Sequence, residues 1–167
     1  MSKRIEEIIS IFSCLIGDLT IAVEVLKEFE SRSIRPDKKR QTIWRLCFFS
    51  IIMSCRKYVE ACEKYGTEIN EICPSLKSLK GIHVDKINRN SAIVDLRNHY
   101  VAHVQKKSEK RALSDQEVQA YIIQMIGSED ATEFLNWICP DSIENSNEEE
   151  CLVGAIEKVR DEVAKKL

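Results

Sequence analysis

From Ile5 to Phe29 apolar residues return every three or four positions: Ile5, Ile8, Ile9, Phe12, Leu15, Ile16, Leu19, Ala22, Val23, Leu26 and Phe29. That is the period of one helical face, and it predicts a long amphipathic helix that must bury its stripe against other helices. No persuasive strand pattern occurs. With 5 glycines and 3 prolines in 167 residues, the chain has too few turn formers for a β-sandwich. The expected fold is all-α: an antiparallel bundle of four to five main helices with short accessory helices, in one domain over residues 1–167.

The remaining punctuation places the other elements. Pro36 ends the first helix, because the residue before a proline is pushed out of helical geometry. Asp37 can cap a second helix over 38–65, with Gly66 as its stop. The middle of that helix, Ile43 to Cys55, is apolar on nearly every side, which predicts a central position. It is too short to cross a bilayer and carries Arg45, so no membrane segment is expected. Pro74 and Gly81 bracket a short helical piece at 75–80, and a third main helix is expected from Val84 or Ser91 to Gln105. "SDQE" at 114–117 is a capping box that opens a helix closed by Gly127, with Val118, Ile122, Met125 and Ile126 inward. A short piece over 131–139 follows. The acidic linker "DSIENSNEEE" then sends its last three glutamates into a final helix striped by Val153, Ile156, Val159 and Val163, with Lys165 and Lys166 at its C-terminal end.

Charge narrows the functional classes. A net charge of −2 and a pI near 6.0 exclude a protein that coats nucleic acid nonspecifically, since such binding comes from neutralising phosphates. Any such contact must be local, at "RPDKKR" (35–40) or "KKSEKR" (106–111), each of which also reads as a solvated basic loop. The 7 cysteines are odd in number, form no CxxC pair and follow no secretory signal. They read as reduced thiols of a cytoplasmic protein, with Cys47, Cys55 and Cys62 packing near one helical stripe.

One stretch carries chemistry. "DLRNHYVAH" (95–103) holds two of the chain's 3 histidines together with an arginine and a carboxylate. His83, in a loop-like setting, reads as structural or merely exposed, and the same bland reading applies to the motif histidines. A metal reading puts Asp95, His99 and His103 on one helical face at successive spacings of four. The glutamate of an HExxH site is absent, because Tyr100 follows His99, and no further ligand is evident. A third reading pairs Arg97 with His103. Cleavage of RNA by its own 2′-hydroxyl needs a proton removed, a proton delivered and positive charge beside the phosphate. An imidazole and a guanidinium supply these with no metal or other cofactor.

Arg97-Asn98, with five residues between Arg97 and His103, in a helix of an all-α bundle, resembles the HEPN superfamily, in particular its abortive-infection and toxin branches. The resemblance implies a metal-independent endoribonuclease of a toxin–antitoxin or antiviral defence system, with a small nucleotidyltransferase as antitoxin. It implies Arg97 and His103 as catalytic residues, Asn98 as the supporting polar residue, and two protomers packing their motif helices into one cleft. Geometry argues in the same direction. Six residues of ideal helix leave Arg97 about 120° from His103, and a two-fold homodimer brings each motif to its symmetry copy. Asp95 and His99 are secondary candidates at the cleft edge, and Tyr100 reads as packing. Lys106, Lys107, Lys110 and Arg111 are candidates to guide an RNA backbone. The rival expectation is a non-catalytic helical module of the same fold. It would bind RNA, a nucleotide or a protein, with Arg97 in a salt bridge between helices.

Overall fold

The computed structural model describes residues 2–31, 38–101, 111–128, 130–144 and 148–167, without the side chains of 2, 30–31 and 38–41. The periodicity of the N-terminal stretch becomes α1 (Ser2–Ser31), and the next apolar segment becomes α2 (Lys38–Lys64). Their pairing is antiparallel. Arg4 reaches Lys64 and Glu68, Tyr65 donates to Glu7 at 3.0 Å, Phe12 meets Tyr58 at 6.0 Å between ring centroids, and Ser50 reaches the Asp18 carbonyl. The chain continues through α3 (Gly66–Ile72), a 3₁₀ turn (Pro74–Leu76), α4 (Lys77–Arg89) and α5 (Ser91–Leu96). It closes with α6 (Asp115–Ile126), α7 (Thr132–Ile138) and α8 (Leu152–Ala164). Among the described residues there is no strand, and the architecture is an all-α helical bundle.

The core is one continuous cluster. From α1 it takes Ile5, Ile8, Phe12, Leu15, Leu19, Ala22, Val23 and Leu26, while Ile9 and Ile16 pack half-buried on its flank. The α1 stripe is covered by α2 on one side and α8 on the other, where Val153, Ile156, Val159 and Val163 are all buried. Among the described residues α1 alone is long and apolar enough to cross a membrane by length and composition, and here its apolar stripe faces the bundle. α2 touches α1, α3, α4 and α5, as a central helix should, but it is not enclosed on every side: Arg45 and Leu46 are exposed.

Several boundaries differ from expectation for local reasons. α2 ends at Lys64, within a residue of its expected end before Gly66, but a further helix follows at once. The chain breaks for one residue at Tyr65 and resumes as α3, whose Ile69 is buried. Gly81 lies inside α4; an interior glycine costs about 1 kcal/mol relative to alanine, and burial of Leu79, His83 and Ile87 offsets it. Of the two starts expected for the third helix the structure takes Ser91, and Val84 belongs to α4. Asn90 leaves helical geometry at φ −82°, ψ 87°, and its side-chain amide donates to the Met125 carbonyl at 2.8 Å, tying the break to α6. The capping box is present: the Ser114 hydroxyl accepts from the Glu117 N–H, the Glu117 carboxylate accepts from the Ser114 N–H, and Gly127 closes the helix at φ 85°.

Glu148 to Glu150 form a turn ahead of α8 and do not enter it. The turn is compact because Cys151 caps the helix, its sulfur accepting from the Gly154 N–H at 3.4 Å, and Lys158 reaches back to Glu148 and Glu149. A side chain at Gly154 would place its Cβ 2.4 Å from the Glu148 carbonyl oxygen. Backbone cannot swing aside, so Gly154→Ala is expected to destabilise the protein by about 1–3 kcal/mol, the usual range for overpacking. In a thermal melt that is a fall in Tm of roughly 2–12 °C; an unchanged Tm would show that the turn is not packed this way.

The cysteines are free thiols, six buried and Cys14 exposed. Burial pushes Cys55 and Cys62 up to about 12, so these thiols act as small apolar groups.

Candidate functional site

The motif lies on the segment that follows α5. Arg97–Val101 form a π-helical turn, in which the hydrogen bonds span one residue more than in an α-helix. Such turns are rare and occur often at functional sites. Three residues anchor it. Leu96 is fully buried, Tyr100 meets Phe49 edge-on at 5.1 Å, and Val101 packs against the core. Tyr100 is therefore a packing residue in this chain.

The Arg97 guanidinium is held from two sides. Nη1 donates to Asn98 Oδ1 at 3.0 Å, and Nη2 donates to Glu60 Oε1 on α2 at 3.3 Å. Its Nε is buried without a partner among the described residues. The Arg97 side chain keeps 34% of its surface exposed and Glu60 keeps 53%. Asp95 faces His99 one turn along, with Oδ1 and Nε2 4.0 Å apart, while His99 Nδ1 is buried without a partner among the described residues. The structure thus brings Asp95 to His99 and Asn98 to Arg97. His103, Lys106, Lys107 and Lys110 lie outside the described residues, as do residues 35–37 of the first basic cluster, whose residues 38–40 are described in backbone only. No cluster of three or more potential metal ligands occurs among the described residues; His103 of the metal reading is not one of these.

Arg111, the described end of the second basic cluster, makes a two-point pair with Glu117 at 2.7 and 2.7 Å. Arg111 and the Ser114 hydrogen bonds together hold the Glu117 carboxyl well below the usual carboxylate range. The same carboxylate completes the capping box, so Arg111 is tied to the start of α6.

His83 is structural, and it sits within α4 and not in a loop. Its Nε2 faces the Glu149 carbonyl at 3.0 Å, and a carbonyl can only accept, so the proton is on Nε2. Nδ1 then accepts from Trp137 Nε1 at 3.4 Å. The rings stack at 6.4 Å, and Lys86 lies 4.3 Å above Trp137. Burial lowers the His83 pKa below its ordinary 6.5, the Glu149 carbonyl pulls the other way, and Lys86 adds to the lowering. The sign follows. Below pH 6.5 the unfolded chain binds a proton that the folded chain refuses, so this contribution to stability is lost as pH falls from 6.5 toward the depressed value. Urea unfolding between pH 7.5 and roughly 5.5 should show wild type losing stability faster than His83→Gln. Parallel curves would mean that His83 does not titrate differently on folding.

The partner that sequence reading missed is Glu60. It is 37 residues from Arg97 and stands on an exposed face of α2, where nothing local sets it apart from other surface carboxylates.

No family model matches the chain, and no curated protein matches it either. Among solved structures it is similar to Vpc_cass2, an integron cassette protein from the mobile metagenome of V. paracholerae. The two share 49% identity and a TM-score of 0.86, over 98% of each chain. With such identity across nearly the full length of both proteins, the chain belongs to the family of this integron cassette protein.

Proposed function

We propose that the protein is a HEPN-type, metal-independent endoribonuclease that cleaves RNA by transesterification. The carrying observation is the arrangement of Arg97 and Asn98 on a π-helical turn. The residue next to the arginine, which the resemblance makes its support, accepts from Nη1 at 3.0 Å, and the Arg97 side chain keeps a third of its surface in solvent. In the reaction, the 2′-hydroxyl attacks the adjacent phosphorus, the bond to the 5′-oxygen breaks, and a cyclic phosphate and a 5′-hydroxyl end result. Arg97 stabilises the charge that builds on the phosphate oxygens, and His103 exchanges the proton. Asn98 orients Arg97. His99, paired with Asp95, stands at the edge of the site. Lys106, Lys107, Lys110 and Arg111 follow the backbone of the RNA.

The active form is a homodimer whose two motifs form one cleft, in the cytoplasm, held silent by a nucleotidyltransferase-type antitoxin. The relative's origin in a mobile metagenome suits a toxin or antiviral defence ribonuclease. The test is incubation of the purified protein with RNA and a chelator, beside Arg97→Ala and His103→Ala. Cleavage by wild type alone supports the reading, and equal cleavage by all three, or none by any, removes it.

One observation favours a second reading. Arg97 bridges its turn to Glu60 of α2, which is what a non-catalytic helical module would use an arginine for. In that reading the bundle binds RNA, a nucleotide or a protein without cutting. Unchanged RNA in the chelator assay, with a clear loss of thermal stability in Arg97→Ala, would select it.

A further inference from the structure

We infer that Glu60 is a positioning residue for Arg97, its carboxylate standing where a phosphate oxygen binds and giving way when an RNA phosphodiester arrives. This rests on the ribonuclease reading. An arginine offers a fixed fork of donors, and a phosphate is best taken two-point. Here Nε is buried, so the edge open to a ligand is the one formed by Nη1 and Nη2. Nη1 is oriented by the neutral Asn98 amide oxygen at 3.0 Å, and Nη2 is occupied by the Glu60 carboxylate at 3.3 Å. The outer position of the fork is therefore filled by an anion supplied from another helix.

The strength of the contact suits displacement. Glu60 is half exposed and reaches one nitrogen through one oxygen, so leaving costs little, whereas a buried, two-point carboxylate would hold. The incoming phosphodiester brings one negative charge in exchange for another, and the charge balance around Arg97 is unchanged. The released carboxylate has somewhere to go. Lys57 and Lys64 lie three residues before and four after it on α2 and line the same groove of about 390 Å³ against α1. Asn98 keeps the guanidinium aimed during the exchange. Glu60 thus holds the fork extended in the free protein and sets how readily phosphate enters.

The experiment titrates inorganic phosphate into full-length protein while following the Arg97 side-chain Nε–H by NMR, with Arg97→Ala to assign the signal. A 2′-O-methyl RNA oligonucleotide, which cannot be cleaved, is titrated in parallel. E60Q keeps the shape and removes the charge. It is expected to bind both probes about threefold tighter, the size appropriate to a half-exposed ion pair. The gain should vanish when E60Q is placed in the Arg97→Ala background, which separates displacement from a general loss of negative charge. Unchanged or weaker binding in E60Q, or a gain that survives without Arg97, overturns the role. RNA cleavage in chelator is scored on the same samples. A phosphate gain without cleavage keeps Glu60 as the displaced anion and removes the nuclease, whereas cleavage with no gain keeps the nuclease and removes the role of Glu60.

Discussion

His103→Ala is expected to lower RNA cleavage by about 10²–10⁴-fold, the range that loss of a positioned proton donor or acceptor produces. Arg97→Ala should cost about 10²–10³-fold, as removal of one group that stabilises developing charge does. The two losses should not multiply in the double variant, since in the proposed reaction both groups serve one transition state. Arg97→Lys restores charge but not the fork that Asn98 and Glu60 hold from two sides, so rescue should be partial. Rates in chelator should equal rates with magnesium. The measurement is single-turnover cleavage of a labelled RNA. A rate that follows added metal, or one that survives in both alanine variants, removes the proposed chemistry.

Phe12→Ala should produce the largest loss of stability. Phe12 is fully buried where α1 crosses α2, with its ring tilted against Tyr58 at 6.0 Å. Tyr58 is itself enclosed, its pKa pushed up by burial and by the neighbouring Cys62 thiol. The cost should reach about 3–5 kcal/mol, or roughly 6–20 °C in Tm. Ile21→Ala serves as the control on the same helix. Its side chain is 61% exposed, and the change should stay within about 0.5 kcal/mol. Similar losses for the two variants would mean that α1 does not present this face to α2.

The helices were legible where their signals are local. The stripe of α1, the Ser114–Glu117 box and the Gly127 stop each depend on residues within a turn or two of one another. The break at Asn90 was legible only as one of two starts for the third helix, Val84 or Ser91; apolar residues continue at helical spacing on both sides, and the amide that stabilises the break bonds to Met125, far along the chain. The π-helical turn has no residue signature, since one residue more per hydrogen-bonded ring leaves the sequence pattern looking helical. At the site, Arg97 with Asn98 could be read from neighbouring positions. Glu60 could not, because an ion pair between helices is written only in the fold. His83 looked like a loop residue because Gly81 precedes it, and its partners come from α7 and from the turn before α8.

The arrangement of α1 between α2 and α8 has a consequence for synthesis. α1 is synthesised before α8, which covers it, with more than a hundred residues made in between. Until Leu152 to Ala164 emerge, one side of a segment long and greasy enough to enter a bilayer stays wet. A product that lacks α8 leaves that side of α1 uncovered, the kind of apolar surface that chaperones and proteases act on.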